Sequence, residues 1–197
     1  MKKYLALLLV CYFFVPVFPA HAVAVNLSPQ AVEEATAFGN TNRSSIEKDL
    51  DGSYAFGSAE EYAEGGVIHT KWYKLAFMAA QKARQGGTLS APEQAEIISD
   101  PCLQINIKLY GRSLDFARDY QVTLLQGTKV IKPEKTHADS FSSDTAATRS
   151  MPGFPGYWAI MRTYFKYAAF DPAAPSILIL KKDGKESRFK IDFTRYK

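Results

Sequence analysis

The sequence predicts an α+β protein in which an N-terminal helical region packs on a C-terminal antiparallel β-sandwich of immunoglobulin-like type. Three observations carry this expectation. The hydrophobic period changes from helical to two-residue spacing at Asp100-Pro101. Leu103, Ile105, Ile107 and Leu109 alternate with polar neighbours over a full strand length. Asp183-Gly184 joins two short apolar runs in the manner of a tight hairpin. Several antiparallel strands with turn chemistry between them suit a two-sheet sandwich.

The first 22 residues read as a bacterial export signal. Lys2 and Lys3 precede an apolar run from Tyr4 to Phe18, and Ala20-His21-Ala22 supplies a small-x-small cleavage site. Pro16 and Pro19 interrupt the run, which falls short of the about 20 residues of an ordinary membrane span. Cleavage after Ala22 leaves 175 of the 197 residues, enough for one domain with its own core. The expected location is the periplasm or the cell exterior, and no later segment reads as a transmembrane span.

The chain carries 24 Lys and Arg against 20 Asp and Glu, and loss of Lys2 and Lys3 leaves 22 against 20. Acids and bases are interspersed, whereas nucleic-acid binding needs a clustered basic surface. Cys102 is the one cysteine after the leader, so no internal disulfide is expected and stability has to come from packing.

Element by element, residues 23–100 are expected to be helical. Ser28-Pro29 supplies an N-cap with proline at the first helical position, and Gly39-Asn40 a stop. Ser58 with Glu61 and Ser90 with Glu93 match the capping box. The longest helix is expected from Val67 to Arg84, ending at Gly86-Gly87, with Ile68, Trp72, Leu75 and Ala79 on its buried stripe. The helix after Ser90 ends by Asp100, because Pro101 disfavours helical backbone before it.

Residues 101–197 are expected to form the sandwich. Strands are predicted over Leu103–Leu109 and Tyr120–Gln126, with a third beginning at Val130. Residues 132–156, rich in Ser, Thr, Asp, Pro and Gly, read as a long loop. In the segment from Tyr157 to Phe170, Ala159, Met161, Phe165 and Tyr167 fall on one side, and Trp158, Ile160 and Tyr164 on the other with Arg162 and Lys166. Both faces are partly apolar, as in a central strand covered on its second side by the helices. An exposed aromatic platform is the alternative. A two-residue loop at Asp183-Gly184 sets Lys182 opposite Lys185 and Leu178 opposite Phe189, with Leu178, Leu180, Phe189 and Ile191 on the core face.

Few chemistries have a signature. In EKDLDGSYAFGS, Glu47, Asp49, Asp51 and Gly52 sit where a calcium loop has its first, third, fifth and sixth positions, but Ser58 stands at the twelfth, where a bidentate Glu belongs. The stretch is therefore read as an Asp-Gly turn between helices. No cofactor motif, nucleophile elbow, zinc-helix motif or C-x-x-C pair is present. Three functional readings follow. The leading one is a noncatalytic binding or assembly module of the envelope, its partner a protein or other envelope component, contacted through the 132–156 loop with His137, Tyr157, Trp158 and Arg162. The second is a small hydrolase or metal-dependent enzyme using Cys102, His69 or His137. The third is attachment to a membrane surface through the basic, aromatic helix 67–84.

Overall fold

The computed structural model describes residues 23–58, 60, 62–142 and 155–197. The expected leader, Glu61 and residues 143–154 of the expected loop lie outside them. The described residues form a mixed α+β structure with four α-helices and two antiparallel sheets. No helix among them is long and apolar enough to cross a membrane.

Helix α1 (Pro29–Thr41) starts as expected: Ser28 Oγ accepts from Ala31 N at 3.1 Å. It runs past Gly39, because that glycine lies against the backbone of a second helix and does not end the first. Helix α2 (Ile46–Tyr54) and strand β1 (Ala55–Gly57) occupy EKDLDGSYAFGS, so the stretch is helix and strand rather than a turn. Ile46, Leu50 and Tyr54 recur every four residues and are buried, and this stripe outweighs the turn preference of Asp51-Gly52. Ser58 caps no helix among the described residues.

Strand β2 (Gly65–His69) takes the first residues of the expected long helix, which begins instead as α3 (Lys71–Arg84). Thr70 sets the boundary, since its Oγ1 accepts from Tyr73 N at 3.1 Å. Gly86, at φ +77°, closes α3, and Gly87 N donates to Lys82 O at 2.9 Å. Helix α4 (Ala91–Ser99) carries the expected capping box, with Ser90 N donating to Glu93 Oε2 at 2.9 Å.

Strands β3 (Cys102–Gly111), β4 (Gln121–Gln126), β5 (Lys129–Ile131), β6 (Lys135–Ser142), β7 (Tyr157–Lys166), β8 (Ser176–Lys182) and β9 (Lys185–Ile191) follow. The five-stranded sheet has the order β1-β2-β3-β7-β6 and the four-stranded sheet β5-β4-β8-β9. The sheet thus continues from β2 to β3 across the sequence position where the hydrophobic period changes. Residues 135–142, expected as loop, are an edge strand on β7; a strand flanked on one side only does not need a strongly apolar face. The β8–β9 hairpin has the expected register, with Asp183 and Gly184 both at positive φ. Leu178, Leu180 and Ile191 are buried and Phe189 partly so.

One core joins these parts. Leu103, Ile105, Ile107 and Leu109 of β3 share it with Met161 and Phe165 of β7, Leu124 and Leu178 of the other sheet, and Leu75 and Ala79 of α3. Inside it, Lys71 Nζ donates to Val25 O at 2.7 Å and Ile98 O at 2.6 Å, fastening the N-terminal segment and α4 to the start of α3.

Candidate functional site

Antiparallel pairing puts directly opposed residues on the same face of a sheet. The outward face of the five-stranded sheet therefore carries Val67 and His69 of β2, Gln104, Asn106 and Lys108 of β3, Trp158, Ile160 and Arg162 of β7, and His137, Asp139 and Phe141 of β6. The expected burial of the second face of β7 is only partial. Ala159, Met161, Thr163 and Phe165 are fully buried on the inner side, whereas Trp158, Ile160, Arg162 and Tyr164 are half-exposed.

Three of the four proposed contact residues meet here. His137 pairs with Arg162 in the sheet register, and Asp139 bridges them, accepting from Arg162 Nη1 and bonding His137 Nε2 at 2.8 Å. The Arg162 guanidinium, with His137 second, holds the Asp139 carboxyl below its ordinary range. Trp158 stacks on Phe141 with ring centroids 4.4 Å apart, and Lys108 Nζ lies 5.8 Å from the Trp158 ring. Tyr157 differs: it packs against the core.

Helices α2 and α3 stand over the β2 side of this face and enclose a cleft of about 390 Å³, lined by Asp51, Tyr73, Phe77, His69, Asn106 and Trp158 among others. A second hollow of about 650 Å³ shares His69, Tyr73 and Phe77 with it and continues toward Gln104 and Asp100. Polar groups in the cleft are held in fixed poses. Tyr73 OH donates to Asp51 Oδ1 at 2.8 Å, and the Tyr73 ring stacks on His69 at 4.1 Å. Gln104 Nε2 donates to Asn106 Oδ1 at 2.8 Å, and Asn106 Nδ2 donates to His69 Nε2 at 3.2 Å. Burial, assisted by the charges of Lys74 and Arg162, lowers the His69 pKa to about 4, so the ring is neutral at pH 7. Burial and the Asp51 carboxylate push the Tyr73 phenol far up.

The other candidate residues are dispersed. Glu47, Asp49 and Asp51 project from one helix to three different partners: Arg84 at 2.6 Å, Ser45 Oγ at 2.7 Å and Tyr73 OH. Cys102 pairs with Lys166, His69 with Gln104 and His137 with Arg162, so all three proposed catalytic groups share the outward face, with His137 on β6 three strands away from His69 on β2. Burial, with Asp100 second, raises the Cys102 thiol pKa, the wrong direction for a nucleophile. The cations of α3 are engaged within the chain: Lys71 with two carbonyls, Lys74 with Asp100, Lys82 with Glu93 and Arg84 with Glu47.

The sequence reading missed Asn106 and Lys108, and took in Tyr73 and Phe77 only as aromatic residues of the helix 67–84. The polar phase of β3 was the available signal, since Gln104, Asn106 and Lys108 had to share one face. No protein-family model matches the chain, and no curated protein resembles it in sequence.

Proposed function

We propose that the chain is an exported, noncatalytic binding module of the bacterial envelope, with its ligand held on the outward face of the five-stranded sheet. The observation that carries this reading is Trp158. It is half-exposed between Phe141 and Lys108 and borders the cleft under α3. Aromatic side chains placed in this way dominate recognition surfaces. The helices and both sheets share one core, which is also what a helical region packed on an immunoglobulin-like sandwich requires.

The test is amide hydrogen exchange in the presence of envelope extract separated into glycan, lipid and protein fractions. One fraction is expected to slow exchange in β7 and β6. Trp158→Ala and Arg162→Ala should remove that protection while leaving Tm nearly unchanged. Protection confined to the four-stranded sheet, or a collapse of Tm in both variants, overturns the assignment.

A further inference from the structure

We propose that the trough beneath α3, from Trp158 past His69 to Gln104, binds a neutral oligosaccharide. The proposal rests on the binding reading above and narrows it to a ligand class. The two adjoining hollows fall within the about 300–1,000 Å³ of small-ligand sites.

The lining combines two chemistries. Trp158 and Phe77 supply apolar ring surface, while Asp51, Asn106 and Lys108 supply acceptors and donors beside it. A wholly apolar ligand would desolvate these polar groups with no compensating hydrogen bond, which is costly. A pyranose ring suits both, because its C–H face lies on an aromatic surface and its rim hydroxyls each donate and accept. The Gln104–Asn106–His69 chain of hydrogen bonds fixes the amide orientations in advance, which lowers the ordering cost of binding.

Charge disfavours an anionic ligand, because Glu96 adds a carboxylate to the lining of the second hollow. Glu47 is neutralised by Arg84, and Lys74 by Asp100. Asp51 and Lys108, of opposite charge, both line the cleft, and His69 carries no charge at pH 7. An extended peptide is disfavoured for a separate reason: β2, β3 and β7 are each paired on both sides, so the trough floor offers no free backbone edge for strand addition.

The experiment titrates the purified protein with chitotetraose, cellotetraose and maltotetraose, read by calorimetry and tryptophan fluorescence. Trp72 is buried, so a fluorescence change reports on Trp158. At least one tetrasaccharide is expected to bind with Kd at or below about 1 mM. Trp158→Ala and Asp51→Asn should each weaken it about tenfold or more, with Tm retained. Asp51→Asn keeps an acceptor for Tyr73 OH, so it separates ligand binding from folding. Absence of binding by all three sugars at about 10 mM, or binding that neither variant weakens, overturns the proposal. If the sugars fail while another envelope fraction still protects β7 and β6, the ligand class alone is wrong; if nothing protects them, the binding reading falls as well.

Discussion

Replacing Gly39 by valine is expected to lower the free energy of unfolding by about 3 kcal/mol, whereas Gly52→Ala is expected to raise it by about 0.5–1 kcal/mol. Both glycines lie inside helices, Gly39 in α1 and Gly52 in α2. Their surroundings differ completely. A Cβ at Gly39 would stand 2.0 Å from Ala76 O and 3.0 Å from Ala79 Cβ, so α1 crosses α3 with backbone in contact and the branched side chain forces the helices apart. A Cβ at Gly52 meets nothing within 4 Å, and alanine there restricts the unfolded chain and favours helix at no steric cost. Gly39→Ala should fall between, because its gain in helix propensity of about 1 kcal/mol offsets part of the clash. Urea unfolding of the variants measures the effects. A loss at Gly52 similar to that at Gly39 would mean that α2 is not helical there.

These two residues also show where the sequence was misleading. Gly39-Asn40 and Asp51-Gly52 both carry ordinary stop or turn chemistry, and in both places helix–helix packing overrides it. Packing partners distant in sequence leave no local mark. Val67–His69 failed in the same way: they extend the apolar stripe of α3 in phase, and only the Thr70 cap and the pairing of β2 with β3 set them apart as strand. Where structure is local, the sequence was sufficient. The Ser28 and Ser90 caps, the alternation of β3 and the Asp183-Gly184 register all depend on residues within a few positions of one another. The candidate site divides along the same line. Trp158, Arg162 and His137 were visible as aromatic, basic and titratable residues near one another, but the cleft exists because His69 opposes Gln104 and α3 folds back over the strand that precedes it.

His69 gives the second large effect, and it appears only in acid. Its pKa is about 4 in the folded chain against an ordinary value of 6.5, because the buried ring resists a charge and Lys74 and Arg162 oppose it. Between these two values the unfolded chain binds a proton that the folded chain does not, so stability is complete above about pH 6.5 and falls as the pH drops toward 4. By pH 4 the loss from this residue is about 3 kcal/mol. Glutamine at position 69 keeps an acceptor for Asn106 Nδ2 and cannot titrate. His69→Gln should therefore lose about 3 kcal/mol less than the native chain between pH 7 and pH 4, with the carboxylates contributing equally to both. Equal losses would show that the folded protein protonates His69 easily. They would also undercut the oligosaccharide assignment, since a charged imidazole in the trough would repel Lys108 and favour an anion. A smaller acid loss in His69→Gln would instead tie the neutrality of the trough to the burial of this ring.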